Sequence, residues 1–144
     1  MTADEILAKA RSYIGVITTY RMGANTKTAA DCSEFFWRVQ GLAKCQKKVW
    51  WNTDRICSNF LEKSPKFAKL DAPEPGCFGV WPGHWGKPDP KTGARKRHAG
   101  HIFYVVDPLH RTVIDCCSEK HGVAEHAAPG YFSATGLVWG RVAA

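Results

Sequence analysis

The chain has 144 residues, 44% of them apolar, and carries 20 Lys and Arg against 13 Asp and Glu for a net charge of +7. That size predicts one compact domain, 1–144, with a real core and little room for a second, and no stretch is long and apolar enough to span a membrane. The basic balance points to an anionic partner, nucleic acid or bacterial cell wall; no nucleic-acid motif accompanies the charge, which argues against nucleic acid.

The N-terminus, Met1-Thr2-Ala3-Asp4-Glu5, is acidic and lacks the basic-then-apolar layout of a secretory leader, so the protein is expected to be made in the cytoplasm without a signal peptide. Thr2 and Glu5 stand at capping-box spacing. Ile6, Leu7, Ala10, Tyr13 and Ile14 then share one face of a first helix that Gly15 is expected to end. A loop containing Tyr20-Arg21-Met22-Gly23 is predicted over Thr18–Ala30. A second helix starts at Asp31 and runs to about Gln40, with Gly41 as its stop. Asn52-Thr53-Asp54 caps a third helix carrying Ile56, Phe60 and Leu61.

The character changes after Pro65, where Pro73, Pro75 and Gly76 disfavour helix. Cys77–Trp81 reads as a strand, and Pro82–Arg97, rich in proline, glycine and positive charge, reads as a loop. Ile102–Val106 is a buried strand, Asp107-Pro108-Leu109-His110 turns the chain, and Thr112–Cys116 returns it. Leu137–Val142 is the final strand. Helices followed by a run of antiparallel strands is the α+β pattern, with the N-terminal helices packed on a central antiparallel sheet.

The segment Asp31-Cys32-Ser33-Glu34, just before the apolar run Phe35-Phe36-Trp37, suggests chemistry. Asp31 as N-cap and Glu34 three residues later complete a capping-box pattern. Cys32 then lies in the first helical turn, among unpaired N–H groups at the positive end of the helix dipole. That setting favours a thiolate, which is the nucleophilic form. The other cysteines (Cys45, Cys57, Cys77, Cys116, Cys117) are expected to be buried free thiols rather than disulfides.

A cysteine hydrolase also needs a base and a group to orient it. Among His84, His98, His101, His110, His121 and His126, the best placed is His101, which opens an apolar strand directly after Gly100. Asp115, at the end of the neighbouring strand, offers a carboxylate to its ring N–H. The Cys32 backbone N–H and the Tyr20 hydroxyl are candidates to hold the oxyanion, with Ser33 beside them.

In this order the motifs resemble the NlpC-type (NlpC/p-sixty) cell-wall cysteine peptidases, over nearly the whole chain. Tyr20-Arg21-Met22-Gly23 resembles that family's Tyr-x-x-Gly-Gly, with Ala24 at the second glycine. Asp31-Cys32-Ser33-Glu34-Phe35 resembles its Asp-Cys-Ser-Gly-Phe, with Glu34 for glycine. Pro75-Gly76-Cys77 resembles Pro-Gly-Asp, Gly100-His101-Ile102 resembles Gly-His-Val, and Gly122-Val123 matches a Gly-Val that commonly follows. The resemblance implies a papain-like fold, Cys32 as nucleophile, His101 as base and no cofactor. Val113-Ile114-Asp115 resembles the strand that ends in a polar third residue, often His in the family and here Asp115. It further implies a monomeric peptidoglycan hydrolase cleaving stem peptides, usually between D-glutamate and a diamino acid. Small members without a wall-binding domain occur among phage-encoded proteins, which leads to the expectation of an endolysin or virion component.

Alternatives stay open on the sequence. Glu34 reads as the capping-box partner, which its spacing alone explains, with a bulky anion that narrows the cleft as the alternative. The 82–97 segment either borders the cleft and meets an anionic wall or is a solvated loop. Cys116, Cys117, His121 and His126 supply zinc-type donors, although adjacent cysteines on a strand face opposite ways and no metal is expected. A papain-like amidase or acyltransferase would carry the same catalytic residues, and a non-catalytic virion module would keep the fold alone.

Overall fold

The computed structural model describes residues 1–60 and 66–143; Leu61 and Pro65 lie outside them. In chain order the elements are α1 (Ala3–Arg11), β1 (Thr19–Tyr20), β2 (Ala29–Ala30), α2 (Cys32–Val39), β3 (Cys45–Gln46), β4 (Val49–Trp50) and α3 (Thr53–Asn59). There follow β5 (Phe67–Leu70), β6 (Phe78–Trp81), β7 (His84–Trp85), β8 (Arg97–His98), β9 (His101–Asp107), β10 (Thr112–Cys117) and β11 (Gly122–Ala127). A 3₁₀ turn, Pro129–Ser133, leads to β12 (Val138–Val142). The class is α+β: among the described residues, three helices accompany a six-stranded sheet in the order β11-β10-β9-β6-β12-β5, every neighbour antiparallel. No helix among the described residues is long and apolar enough to cross a membrane.

Period-2 alternation gives β9 and β10 two different faces. Ile102, Tyr104, Ile114 and Cys116 join the core beneath the helices. Phe103, Val105 and Val113 join a second core covered by Tyr131 and Phe132 of the 3₁₀ turn together with Trp139. α2 packs on β9 and β10 and is apolar almost all round: Phe35, Phe36, Trp37 and Val39 are each no more than 1% exposed. A helix with that profile belongs inside a protein, and each such side chain contributes about 1.5–3 kcal/mol by leaving water. Two polar tips fix its setting. The Tyr104 hydroxyl donates to Phe36 O at 2.8 Å and accepts from Gln40 Nε2 at 3.0 Å, and Trp37 Nε1 donates to Trp51 O at 2.8 Å. Because Tyr104 and His101 share β9, the strand that carries the candidate base also grips the helix that carries Cys32.

Several boundaries differ from expectation. α1 has its full Thr2–Glu5 capping box but stops at Arg11, not Gly15. The next amides, Tyr13 and Ile14, bond three residues back in tight turns. Ile14 is 44% exposed, and Ile17 takes the buried place instead. The 18–30 loop contains a short parallel pair, β1 with β2. The 82–97 loop is built on a two-stranded flap, β7 with β8. β5 and β11, two strands of the main sheet, had no expectation attached to them.

Candidate active site

Asp31 builds the nucleophile's position. Its carboxylate is 1% exposed and accepts hydrogen bonds on both oxygens. Oδ1 takes Glu34 N at 2.8 Å and Ser33 Oγ at 3.2 Å, while Oδ2 takes Gly23 N at 2.9 Å and Lys44 Nζ at 2.9 Å. Gly23 sits at φ 77°, the left-handed region that favours glycine, so the Tyr20–Gly23 segment turns there and is tied by its backbone to the N-cap of α2. Burial pushes the Asp31 carboxyl up, but the Glu34 and Gly23 amides and the Lys44 ammonium outweigh it and hold it below its ordinary value.

Glu34 does not complete the capping box. Asp31 caps the Glu34 amide, but the Glu34 carboxylate turns to Arg38, accepting from Nε at 3.0 Å. The same guanidinium donates to Ala29 O at 3.3 Å and Asn25 Oδ1 at 3.4 Å. The i,i+4 pair to Arg38, which can reach back to β2, wins over the cap. Glu34 therefore faces the interior and lines neither cleft beside Cys32.

Cys32 is the first residue of α2, 5% exposed. His101 opens β9 close enough to Cys32 for the thiol to raise its ring pKa. Its Nε2 lies 2.6 Å from Asp115 Oδ2, which leaves Nδ1 as the ring nitrogen available to the thiol. Asp115 is fully buried on β10. Cys32, His101 and Asp115 thus lie together, the candidate nucleophile on a helix and its two partners on adjacent strands.

Two residues were missing from the predicted site. His126 on β11 approaches Asp115 Oδ1 at 2.7 Å, and the Tyr131 hydroxyl donates to Asp115 Oδ2 at 2.8 Å. The sequence places His126 among the six candidate bases and among the zinc-type donors, but not beside Asp115. Its signal was its parity with Val113, opposite which it pairs across the β10–β11 ladder, but β11 itself was unforeseen. Burial pushes the Asp115 carboxyl up, yet hydrogen bonds from His101 and His126 dominate and hold it well below the carboxylate range. Ionised, it makes both imidazoles donors at Nε2. Burial alone would lower His101, but Cys32 and Asp115 beside it raise it to about 10. Burial and the neighbouring Asp115 charge push the Tyr131 phenol up.

Tyr20 and Ser33 part company. Ser33 spends its hydroxyl on Asp31 and acts as a capping side chain. Tyr20 is half-buried and lines a cleft of about 260 Å³ together with His101, Trp81, Cys117, Glu119 and Tyr131. Burial, then the nearby Cys32, raise its phenol. A second cleft of about 180 Å³ lies on the Cys32 side, walled by Met22, Lys44, Asp54 and Arg97. The two share Ala99 and Gly100, so a substrate laid across Gly100 would pass the thiol with a pocket on either hand. The flap contributes directly: Arg97 pairs with Asp54 at 2.8 Å, and Gly83 N donates to the same carboxylate at 2.8 Å.

The zinc grouping suggested by the sequence is not assembled as such. Cys116 turns toward the helices and donates to Ala30 O at 3.3 Å, while Cys117 faces the opposite side. His121 lies in the turn before β11 at φ 57°. Compared with known proteins, the chain matches no protein-family model and no curated protein.

Proposed function

We propose that this protein is a papain-like, NlpC-type cysteine peptidase that hydrolyses an amide bond in the stem peptides of bacterial peptidoglycan. The observation that carries the reading is the Cys32–His101–Asp115 chain, with the sulfur at a helix N-terminus and the imidazole held from behind by a buried carboxylate. Residue types and geometry suit acyl transfer through a covalent intermediate. The choice of wall peptide rests on the motif resemblance and the basic charge.

In this mechanism His101 Nδ1 takes the Cys32 proton and Sγ attacks the substrate carbonyl carbon. Negative charge moves to the carbonyl oxygen, which the Cys32 N–H and the Tyr20 hydroxyl stabilise. The tetrahedral species collapses as His101 returns the proton to the leaving amine, and a thioester remains. Water, deprotonated by His101, attacks the thioester, releasing the acid and restoring the thiol. Throughout, His101 keeps its Nε2 proton on Asp115, so the ring does not rotate between steps. The bond expected to break joins D-glutamate to the diamino acid.

Mass spectrometry of defined muropeptides after incubation with the protein tests this. Wild type is expected to yield a free D-glutamyl carboxylate and a new diamino-acid amine, and Cys32→Ala or His101→Ala to yield neither while keeping the native circular dichroism. Cleavage by Cys32→Ala protein at the wild-type rate would end the proposal, as would wild-type protein leaving every muropeptide intact.

A further inference from the structure

We propose that Cys117, His126 and Asp115 form a site for a thiophilic divalent cation, zinc as the type case, and that filling it competes with His101 for the Asp115 carboxylate. Cys117 and Asp115 are two residues apart on β10 and so share a face, and His126 comes from the adjoining strand β11. One donor atom from each, a sulfur, a nitrogen and an oxygen, lies within 4.8 Å of the other two. Zinc bonds of about 2.0–2.3 Å place tetrahedral donors roughly 3.5 Å apart, so closing the site shortens the longest separation by little more than an ångström. The hydrogen bond at 2.7 Å between His126 Nε2 and Asp115 Oδ1 opens slightly to admit the ion.

Four features favour a cation here over a purely hydrogen-bonded cluster. The mixed sulfur, imidazole and carboxylate set is the donor chemistry of borderline-soft metals. Cys117 has no part in the proposed hydrolysis, yet its sulfur lies within 4.8 Å of an oxygen of the catalytic carboxylate. It also lines the cleft of about 260 Å³, which gives an ion a path in and leaves its fourth position to water. A divalent ion held by one thiolate, one carboxylate and one neutral imidazole is formally uncharged, which suits a buried location.

The exchange balances without redox change. Cys117 releases its proton to solvent, His126 moves its ring proton from Nε2 to Nδ1, and the ionised Asp115 contributes an oxygen. Binding itself is independent of what the enzyme cleaves; only its inhibitory consequence rests on the hydrolase reading.

Cobalt(II) and zinc(II) serve as probes, with the full chain stripped by a chelator and carrying Cys32→Ala so that the catalytic thiol cannot ligate. One equivalent of cobalt is expected to give a thiolate-to-metal charge-transfer absorption that zinc abolishes. Adding Cys117→Ser should remove that absorption, and adding His126→Gln should weaken binding about tenfold or more, since even outer-shell partners of a metal are worth that much. On a Cys32 background, zinc should slow muropeptide cleavage, and Cys117→Ser should relieve the inhibition. No absorption in the Cys32→Ala protein, or an absorption of the same strength after Cys117→Ser, overturns the site. Intact cobalt binding with no muropeptide cleavage would instead count against the hydrolase reading alone.

Discussion

At the scale of single residues, Asp31 and Cys32 do different work that separate measurements can resolve. Asp31 joins the Gly23 loop, the α2 N-terminus and the Lys44 ammonium through one carboxylate. Replacing it with Ala leaves Lys44, 5% exposed, buried without its counter-ion, a change that costs about 3–5 kcal/mol in urea denaturation. The sign of its pH effect follows from its lowered pKa. The folded value lies below the unfolded value near 3.8, so the stabilisation is complete above that pH and is lost as pH falls through the folded value. Denaturation midpoints for wild type should therefore drop steeply below about pH 4, and Asp31→Asn should flatten that limb. Cys32 is tested by reactivity. Burial raises the thiols of Cys57 and Cys116 to about 12 and of Cys77 and Cys117 to about 11, and Cys45 is exposed. Near neutral pH, iodoacetamide should label Cys32 fastest, Cys45 more slowly and the other four least, as read by peptide mass spectrometry. His101→Ala should remove the advantage of Cys32; if labelling of Cys32 is unchanged in that variant, His101 does not activate it.

At the scale of elements, Gly100 is where β9 meets the flap and α3. A Cβ there would collide with the Trp81 carbonyl oxygen and come within 2.7 Å of Thr53 Oγ1 and 2.8 Å of Gly83 N. Two of those neighbours are backbone and cannot yield. Gly100→Ala should cost about 1–3 kcal/mol as overpacking, and because His101 is the next residue, kcat/KM should fall by up to about 100-fold through displacement of the ring. Paired denaturation and muropeptide kinetics would show both; full activity with lowered stability would mean that the His101 position is set elsewhere on β9. The same region marks how far the sequence could be read. α2, β9 and β10 were legible because capping residues and apolar runs leave few alternatives, and Cys32, His101 and Asp115 could be named from them. β11 was not: Gly-Val-Ala-Glu-His-Ala has weak strand propensity, and it forms because it completes the β10 edge and is tied by Glu125 to Arg11 at 2.7 Å. His126 was hidden with it. β5, Phe-Ala-Lys-Leu, is likewise a strand only through pairing with β12. Glu34 was misread for a related reason, since its better partner, Arg38, reaches β2, which sequence spacing does not reveal.

At the scale of the molecule, the net charge of +7 is unevenly spread. Lys87, Lys91, Arg95 and Lys96 are exposed on the flap between β7 and β8, and the flap is anchored at the cleft by Arg97, which pairs with Asp54 and lies 5.5 Å over the Trp85 ring. The anchor is a surface pair worth no more than about 1 kcal/mol, so the flap holds its place without adding much to stability. Its four cations instead give the flap a local positive field. If the substrate is part of an anionic wall, that field raises local substrate concentration, and it should be screened beyond about 10 Å at moderate ionic strength. Changing the four residues together to Gln should leave the thermal midpoint within a few degrees of wild type and leave kcat on a short soluble muropeptide unchanged. Association with purified cell-wall sacculi, measured by co-sedimentation, should fall several-fold at low salt and lose most of its salt dependence. The comparison separates two roles for the flap. A loss confined to sacculi assigns the cations to capture of the polymer, whereas a matching rise in KM for the short muropeptide would place them in the substrate-binding cleft itself. Wild-type capture by the four-fold variant at every salt concentration would make the charge incidental to function.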